Sequence, residues 1–145
     1  MELVGDLLEE KGGWVCTADC QIPVGHALRL MAHANVGALV ILNAGYMAGI
    51  FSERDYARKA ISIPGFTLET PVSDLMTRRV YYVTPADTLD DCMSLMTNRK
   101  IRHLPVLDEG ILVGLISVGD IVKQSLDEME SRIKDLEEYL WIHMI

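Results

Sequence analysis

The sequence predicts an α/β (α+β) fold of two pseudo-symmetric halves, each running β-α-β-β-α and packed together through their sheets, followed by an extended C-terminal helix. Three observations predict it. First, the stretch 111–120, ILVGLISVGD, has an earlier copy at 47–55, MAGIFSERD, and the two superpose without a gap when 65 is added to the residue number. Gly49 thus matches Gly114, Phe51 matches Ile116, Ser52 matches Ser117 and Asp55 matches Asp120; internal duplication of this kind governs a fold before any local signal does. Second, within each copy the apolar pattern switches from the three-four spacing of a one-faced helix to the near-continuous runs of strands covered on both sides. Third, from Val122 apolar residues recur as Leu126, Met129, Ile133, Leu136 and Leu140, in alternating steps of four and three, with Asp, Glu, Arg and Lys between them. That is a heptad seam, and it predicts self-association.

In chain order, VGDLLEE (4–10) reads as a short helix, with an echo in VSDLM (72–76) at an offset of 68; the change from 68 to 65 falls between Leu8 and Trp14. Short strands are predicted at 14–17 and 80–84. Helices follow, with apolar faces at Val24, Ala27, Leu28, Met31 and Ala34, and at Leu89, Cys92, Met93 and Met96 in the counterpart 88–100. Next come strand pairs, 37–42 with 46–51 and 104–107 with 111–116, joined by Asn43-Ala44-Gly45 and Asp108-Glu109-Gly110, turns with a mechanism in their glycines. The crossover 63–71 is too brief to separate independent domains. The expected organisation is a first repeat with the N-terminal helix at 1–66, a second at 67–125, and a helical extension at 126–145 that dimerises, its apolar end at 141–145 also needing cover.

Composition narrows the function. Half of the 145 residues are hydrophobic, which argues against disorder. The uncharged stretch 36–51 is about as long as the shortest spanning helix, but its turn at 43–45 cuts it, so no membrane segment is predicted. The first thirteen residues carry Glu2, Asp6, Glu9 and Glu10 and do not resemble a signal peptide; the cytoplasm is the expected compartment. Cys16, Cys20 and Cys92 do not make a disulfide framework in a reducing compartment. A formal charge of −8 repels a polyanionic duplex and excludes nucleic acid as the main partner, while leaving room for a small anion in a local basic pocket. Cys16, Cys20, His26 and His33 have no metal-ligand spacing, and no metal site is predicted.

The residues with most chemistry are Ser52-Glu53-Arg54-Asp55 and Ser117-Val118-Gly119-Asp120, each at a strand-to-helix junction. The simplest reading of each is a capping box. Two copies at equivalent positions add another reading. A helix N-terminus with a serine suits a phosphate, and an aspartate nearby can accept bonds from both hydroxyls of a ribose. Phosphate plus ribose means a nucleotide, held without a GxGxxG or GxxxxGKS loop.

VGALVI and AGIFSERDYARKA in the first half, with SDLMT and LMTNRKIRHLPVLDEGILVGLISVGDIVK in the second, resemble a cystathionine-β-synthase (CBS) domain pair, or Bateman module, over nearly the whole chain. The resemblance implies two clefts that take adenosine-containing ligands: AMP, ADP, ATP, NAD(H) or S-adenosylmethionine. It implies that Asp55 and Asp120 hold the riboses, with Ser52 and Ser117 beside them. Val36, Gly37, Ala38, Ile101, Arg102 and His103 would wall the adenine pockets, with Pro105 and Thr84 nearby. The clefts are composite in the family, so the aspartate of one repeat can face the strand of the other. Arg54, Arg102 and His103 are the candidates for neutralising phosphate. Gly37, Ala38 and Val40 stand where Arg102, His103 and Pro105 stand in the second copy, so the two sites are expected to be inequivalent. A histidine beside a buried strand is also a common structural residue, and near an arginine its cationic form is disfavoured.

No serine is paired with a histidine base and no acidic pair is spaced for catalysis, so no catalytic residue is predicted. The expectation is a non-enzymatic, homodimeric adenine-nucleotide sensor that biases a separate, unidentified protein. Its rivals are a ligand-independent dimeric scaffold, with clefts filled by side chains such as Arg54 or Tyr82, and a redox regulator acting through Cys16, Cys20 or Cys92.

Overall fold

The computed structural model describes residues 2–143, so Met144 and Ile145 of the expected apolar tail lie outside the described residues. The order of elements is α1 (Val4–Lys11), β1 (Thr17–Asp19), α2 (Val24–Ala34), β2 (Ala38–Asn43), β3 (Tyr46–Ser52), α3 (Glu53–Lys59), α4 (Leu89–Arg99), β4 (His103–Asp108), β5 (Ile111–Ser117) and α5 (Val118–His143), with single 3₁₀ turns at Ala60–Ser62 and Val72–Asp74. This is the mixed architecture that the repeat predicts.

The 65-residue offset holds to the residue. α2 and α4 each end on a left-handed residue, Asn35 (φ 55°) and Lys100 (φ 53°). β2 pairs antiparallel with β3 and β4 with β5 in matching register, Ala38 opposite Ser52 and His103 opposite Ser117, with matching bulges after Ile41 and Val106. Both hairpins turn on two residues of positive φ, Ala44-Gly45 and Glu109-Gly110, the geometry whose twist suits a two-residue loop. The leading strands depart from expectation. β1 starts at Thr17 and runs parallel to β2, because Gly13 lies against the Val113 carbonyl of the other half before the chain joins its own sheet. The strand expected at 80–84 is reduced to one parallel bridge, Val83 to Val106.

Each half has its own core, and each core borrows an arm from across the molecule. Val24, Met31, Leu39, Ile41 and Phe51 pack with Val72, Leu75 and Met76. Leu89, Cys92, Met96, Leu104 and Ile116 pack with Val4 and Leu7 of α1. Backbone bonds seat both arms: the Val4 amide donates to Asp87 O (2.8 Å), and the Val72 amide to Ile22 O (2.8 Å). Burying each large side chain of an arm is worth about 1.5–3 kcal/mol, so an arm is a firm link between halves.

The last helix changes character along its length. Ile121 and Gln124 are buried in its first turns, whereas Leu126, Met129, Ile133, Leu136 and Leu140 are each more than half exposed. No helix among the described residues is long and apolar enough to cross a membrane.

Candidate functional site

Strand β3 delivers Ser52 to the start of α3, and the capping box predicted there forms. The Ser52 hydroxyl accepts the Asp55 amide (3.1 Å), and Asp55 Oδ2 accepts the Ser52 amide (2.9 Å) and hydroxyl (3.0 Å). The same box closes at the start of α5, where the Asp120 amide donates to Ser117 Oγ (3.1 Å) and the Ser117 amide to Asp120 Oδ2 (2.8 Å). Capping engages one carboxylate oxygen of Asp55 and leaves the other, Oδ1, for other partners. Those partners are the Thr77 hydroxyl (3.0 Å) and Lys59 Nζ (3.0 Å).

Around Asp55 lies a cleft of about 430 Å³, within the range of small-molecule sites, roughly 300–1,000 Å³. It is composite. α3 and its cap supply Ser52, Glu53, Arg54, Asp55, Arg58 and Lys59; the segment before β2 supplies Gly37; the second half supplies Thr77, Arg79, Val80, Tyr81 and Lys100 to His103. Six of the thirteen Lys and Arg of this acidic chain line the cleft, namely Arg54, Arg58, Lys59, Arg79, Lys100 and Arg102, against two carboxylates. Low-dielectric walls focus such a field and raise the local concentration of anions. Arg54 is held on the Lys100 carbonyl by Nη1 (3.2 Å), which ties α3 to the second half.

His103 sits beside Gly37, where a Cβ would lie in ordinary van der Waals contact with the ring, at 3.8 Å. Burial lowers the pKa of His103, the charges of Lys11 and Arg102 lower it further, and those of Asp120 and Glu53 offset this only in part. Its neutral form is therefore favoured, so the cationic role falls to the arginines and lysines.

The second aspartate has a different neighbour. Lys11, in the last turn of α1, donates from Nζ to Asp120 Oδ2 (2.5 Å) and to the Leu115 carbonyl (2.5 Å). Burial would raise the Asp120 pKa, but the hydrogen bonds from Lys11 and Ser117, with the Lys11 charge, outweigh it and hold the carboxyl below its ordinary value.

Of the residues predicted from sequence, the structure gathers Gly37, Ser52, Arg54, Asp55, Ile101, Arg102 and His103 in one cleft. Ser117 and Asp120 occupy the equivalent junction in the second half. Ala38 is buried in β2, and Val36 precedes it. Pro105 is fully buried in β4. Thr84 is engaged in a turn, its amide donating to Asp87 Oδ2 (2.7 Å). Sequence reasoning missed Arg58, Lys59, Thr77, Arg79 and Lys100. The signal for Lys59 was its place four residues after Asp55, where a helix sets an ion pair. Among the described residues no three His, Cys, Asp or Glu side chains gather where they could hold a metal ion.

Comparison with known proteins gives the same outline. The family profile described as the CBS domain matches residues 15–62 and again 72–127. The CBS domain-containing protein CBSX3, mitochondrial, of Arabidopsis thaliana is 35% identical over 94% of this chain and 71% of its own length. A Burkholderia ambifaria protein with CBS domains is 41% identical, with a TM-score of 0.82 over 86% of this chain and 94% of its own. The CBS domain pair of protein MJ0100, solved in complex with 5′-methylthioadenosine and S-adenosyl-L-methionine, is 25% identical, with a TM-score of 0.77 over 88% of this chain and 98% of its own.

Proposed function

Because this chain belongs to the CBS-domain family and carries two CBS domains in tandem, we propose that it is a non-enzymatic regulator that senses an adenine nucleotide in the Asp55 cleft. The observation that carries the reading is the pairing, in one composite space of about 430 Å³, of a carboxylate with six cationic side chains. A ribose diol would donate to Asp55 Oδ1 in place of Lys59, and the released ammonium stays beside the phosphates. Arg54, Arg79 and Arg102 offer planar, bidentate donors to phosphate oxygens, while Gly37 and Ile101 flank the base. This charge balance favours AMP, ADP, ATP or NAD(H) over S-adenosylmethionine, whose sulfonium is itself a cation, although MJ0100 was solved with the latter.

The nucleotide acts on a separate protein by binding one packing of the two halves better than another. The ligand touches both halves, so its occupancy bears on their packing. In this reading the protein is a homodimer, which the exposed apolar seam of α5 supports. The compartment in this reading is the cytoplasm, although the Arabidopsis relative is named as mitochondrial.

Thermal shift and titration calorimetry with each adenylate test the reading. ATP, ADP, AMP or NAD raises the melting temperature by mass action, and Asp55→Ala removes the shift. No stabilisation by any of them at millimolar concentration would overturn it. The scaffold alternative requires a cleft filled by its own side chains. Against it, Tyr82 is 55% exposed and Arg54 leaves the cleft open.

A further inference from the structure

The two aspartates are each bridged to a lysine, but the lysines differ in origin and in what holds them. Lys59 is on the same helix as Asp55, one turn on, and its ammonium also donates to the Leu75 carbonyl (3.1 Å) and the Thr77 hydroxyl (3.3 Å), so it can give up the carboxylate and stay held in the cleft. Lys11 comes from a different element. It stands in a stretch where the repeats do not correspond, the five residues 9–13 facing only two, 77–78, in the second copy. That insertion extends α1 by the turn that carries Lys11.

The acceptors of Lys11 show what it replaces. In the first half the Ile50 carbonyl accepts the Thr77 amide (2.8 Å), and Asp55 accepts the Thr77 hydroxyl (3.0 Å). In the second half the Leu115 carbonyl, the equivalent of Ile50 O, and the capping oxygen Oδ2 of Asp120 are both taken by the single ammonium of Lys11. The cations that line the first cleft are also largely missing from the second. Gly119, Gln124, Trp14, Asn35 and Gly37 stand at the positions of Arg54, Lys59, Arg79, Lys100 and Arg102, and only Lys123 keeps the charge of Arg58.

We infer that Lys11 is a built-in cation at the second junction, neutralising Asp120 beside the place where a ribose would otherwise bind, so that the chain takes one nucleotide and not two. This rests on the nucleotide reading of the first cleft. Displacing Lys11 breaks two bonds of one charged group, and few cations are left to hold the phosphate that would follow.

The test counts AMP per chain by titration calorimetry and native mass spectrometry on the wild type, on Lys11→Met, which keeps the apolar stem, and on Lys11→Gln, which keeps hydrogen-bonding capacity should the first variant misfold. The expected count is one for the wild type, lost in Asp55→Ala, and two for the Lys11 variants, falling back to one when Asp120→Ala is added. The second site should tighten at least tenfold over any residual binding in the wild type. Two AMP in the wild type, no increase over the wild type in either Lys11 variant, or a second AMP indifferent to Asp120→Ala would each overturn the inference. The nucleotide reading fails separately: no AMP in the wild type with one in the Lys11 variants would overturn that reading and sustain the role of Lys11. No AMP in any of them overturns both.

Discussion

Met76 lies directly over Gly49: a Cβ built on this glycine would stand 2.9 Å from the Met76 sulfur and 2.6 Å from the Thr77 carbonyl oxygen. The arm that completes the first core can cross strand β3 here only because no side chain intervenes. Gly114 plays the same part beneath Leu8, where a Cβ would meet Cδ2 at 2.6 Å. Gly49→Ala should destabilise the protein by about 1–3 kcal/mol, and Gly114→Ala by less, since its obstacle is the end of a side chain that can rotate. Urea denaturation checks this; equal losses would show that the Thr77 backbone is free to shift.

The environment of His103 predicts a pH dependence. A group whose pKa is lowered by folding binds its proton more readily in the unfolded chain, so stability rises with pH. The contribution is fully present above the ordinary imidazole value of 6.5 and is lost as pH falls through the folded value. Asp120 acts in the same direction in a lower window, below 3.8. His103→Gln should therefore flatten the curve of urea midpoint against pH just below 6.5 while leaving the limb below 3.8 unchanged. Parallel curves for variant and wild type would remove His103 from this account.

The seam of α5 predicts separable effects on assembly and folding. Ile133 and Leu136 are 56% and 61% exposed. Replacing both with glutamate should change the unfolding free energy of the protomer by no more than roughly 0.5 kcal/mol. Sedimentation equilibrium should show a fall from dimer to monomer. An unchanged mass would place the dimer contact elsewhere.

Cysteine reactivity tests the redox alternative. The Cys92 thiol, buried and near Asp87 and Asp91, has its pKa pushed up to about 11, chiefly by burial, and the Cys16 thiol is also raised by burial. The thiolate is the nucleophile, so at pH 8 iodoacetamide should label Cys92 only after denaturation. Labelling of Cys92 in the native protein at the rate of a free thiol would contradict this.

Much of the fold could be read from sequence because the duplication is ungapped from Trp14 onward, so each hairpin, cap and helix in one half checked its counterpart. The arms could not be placed in this way. The offset of 68 relates residues 4–8 to 72–76, but similarity between two segments does not say which core either one enters. The strand expected at 80–84 failed for a related reason: the chain there turns along the cleft, and only Val83 reaches β4. At the site, Ser52 and Asp55 were visible as a motif. Of the cations around them Arg54 and Arg102 were visible too, whereas Arg79 lies outside any motif and Lys100 carries no role in its own, and both reach the cleft only through the crossing of the halves. Capping does not use up the carboxylate, because the cap takes Oδ2 and leaves Oδ1 to Thr77 and Lys59.

The exchanged arms also set an order in time. Val4 bonds to Asp87 and Lys11 to Asp120, so α1 has no docking place until the second half has followed it. Loop closures of this span slow folding. A chain interrupted before residue 120 would expose Val4 and Leu7 to solvent, and neither half should melt as a unit of its own. The duplicated sequence thus yields one cooperative body, with nascent chains vulnerable to aggregation until the second half has been made.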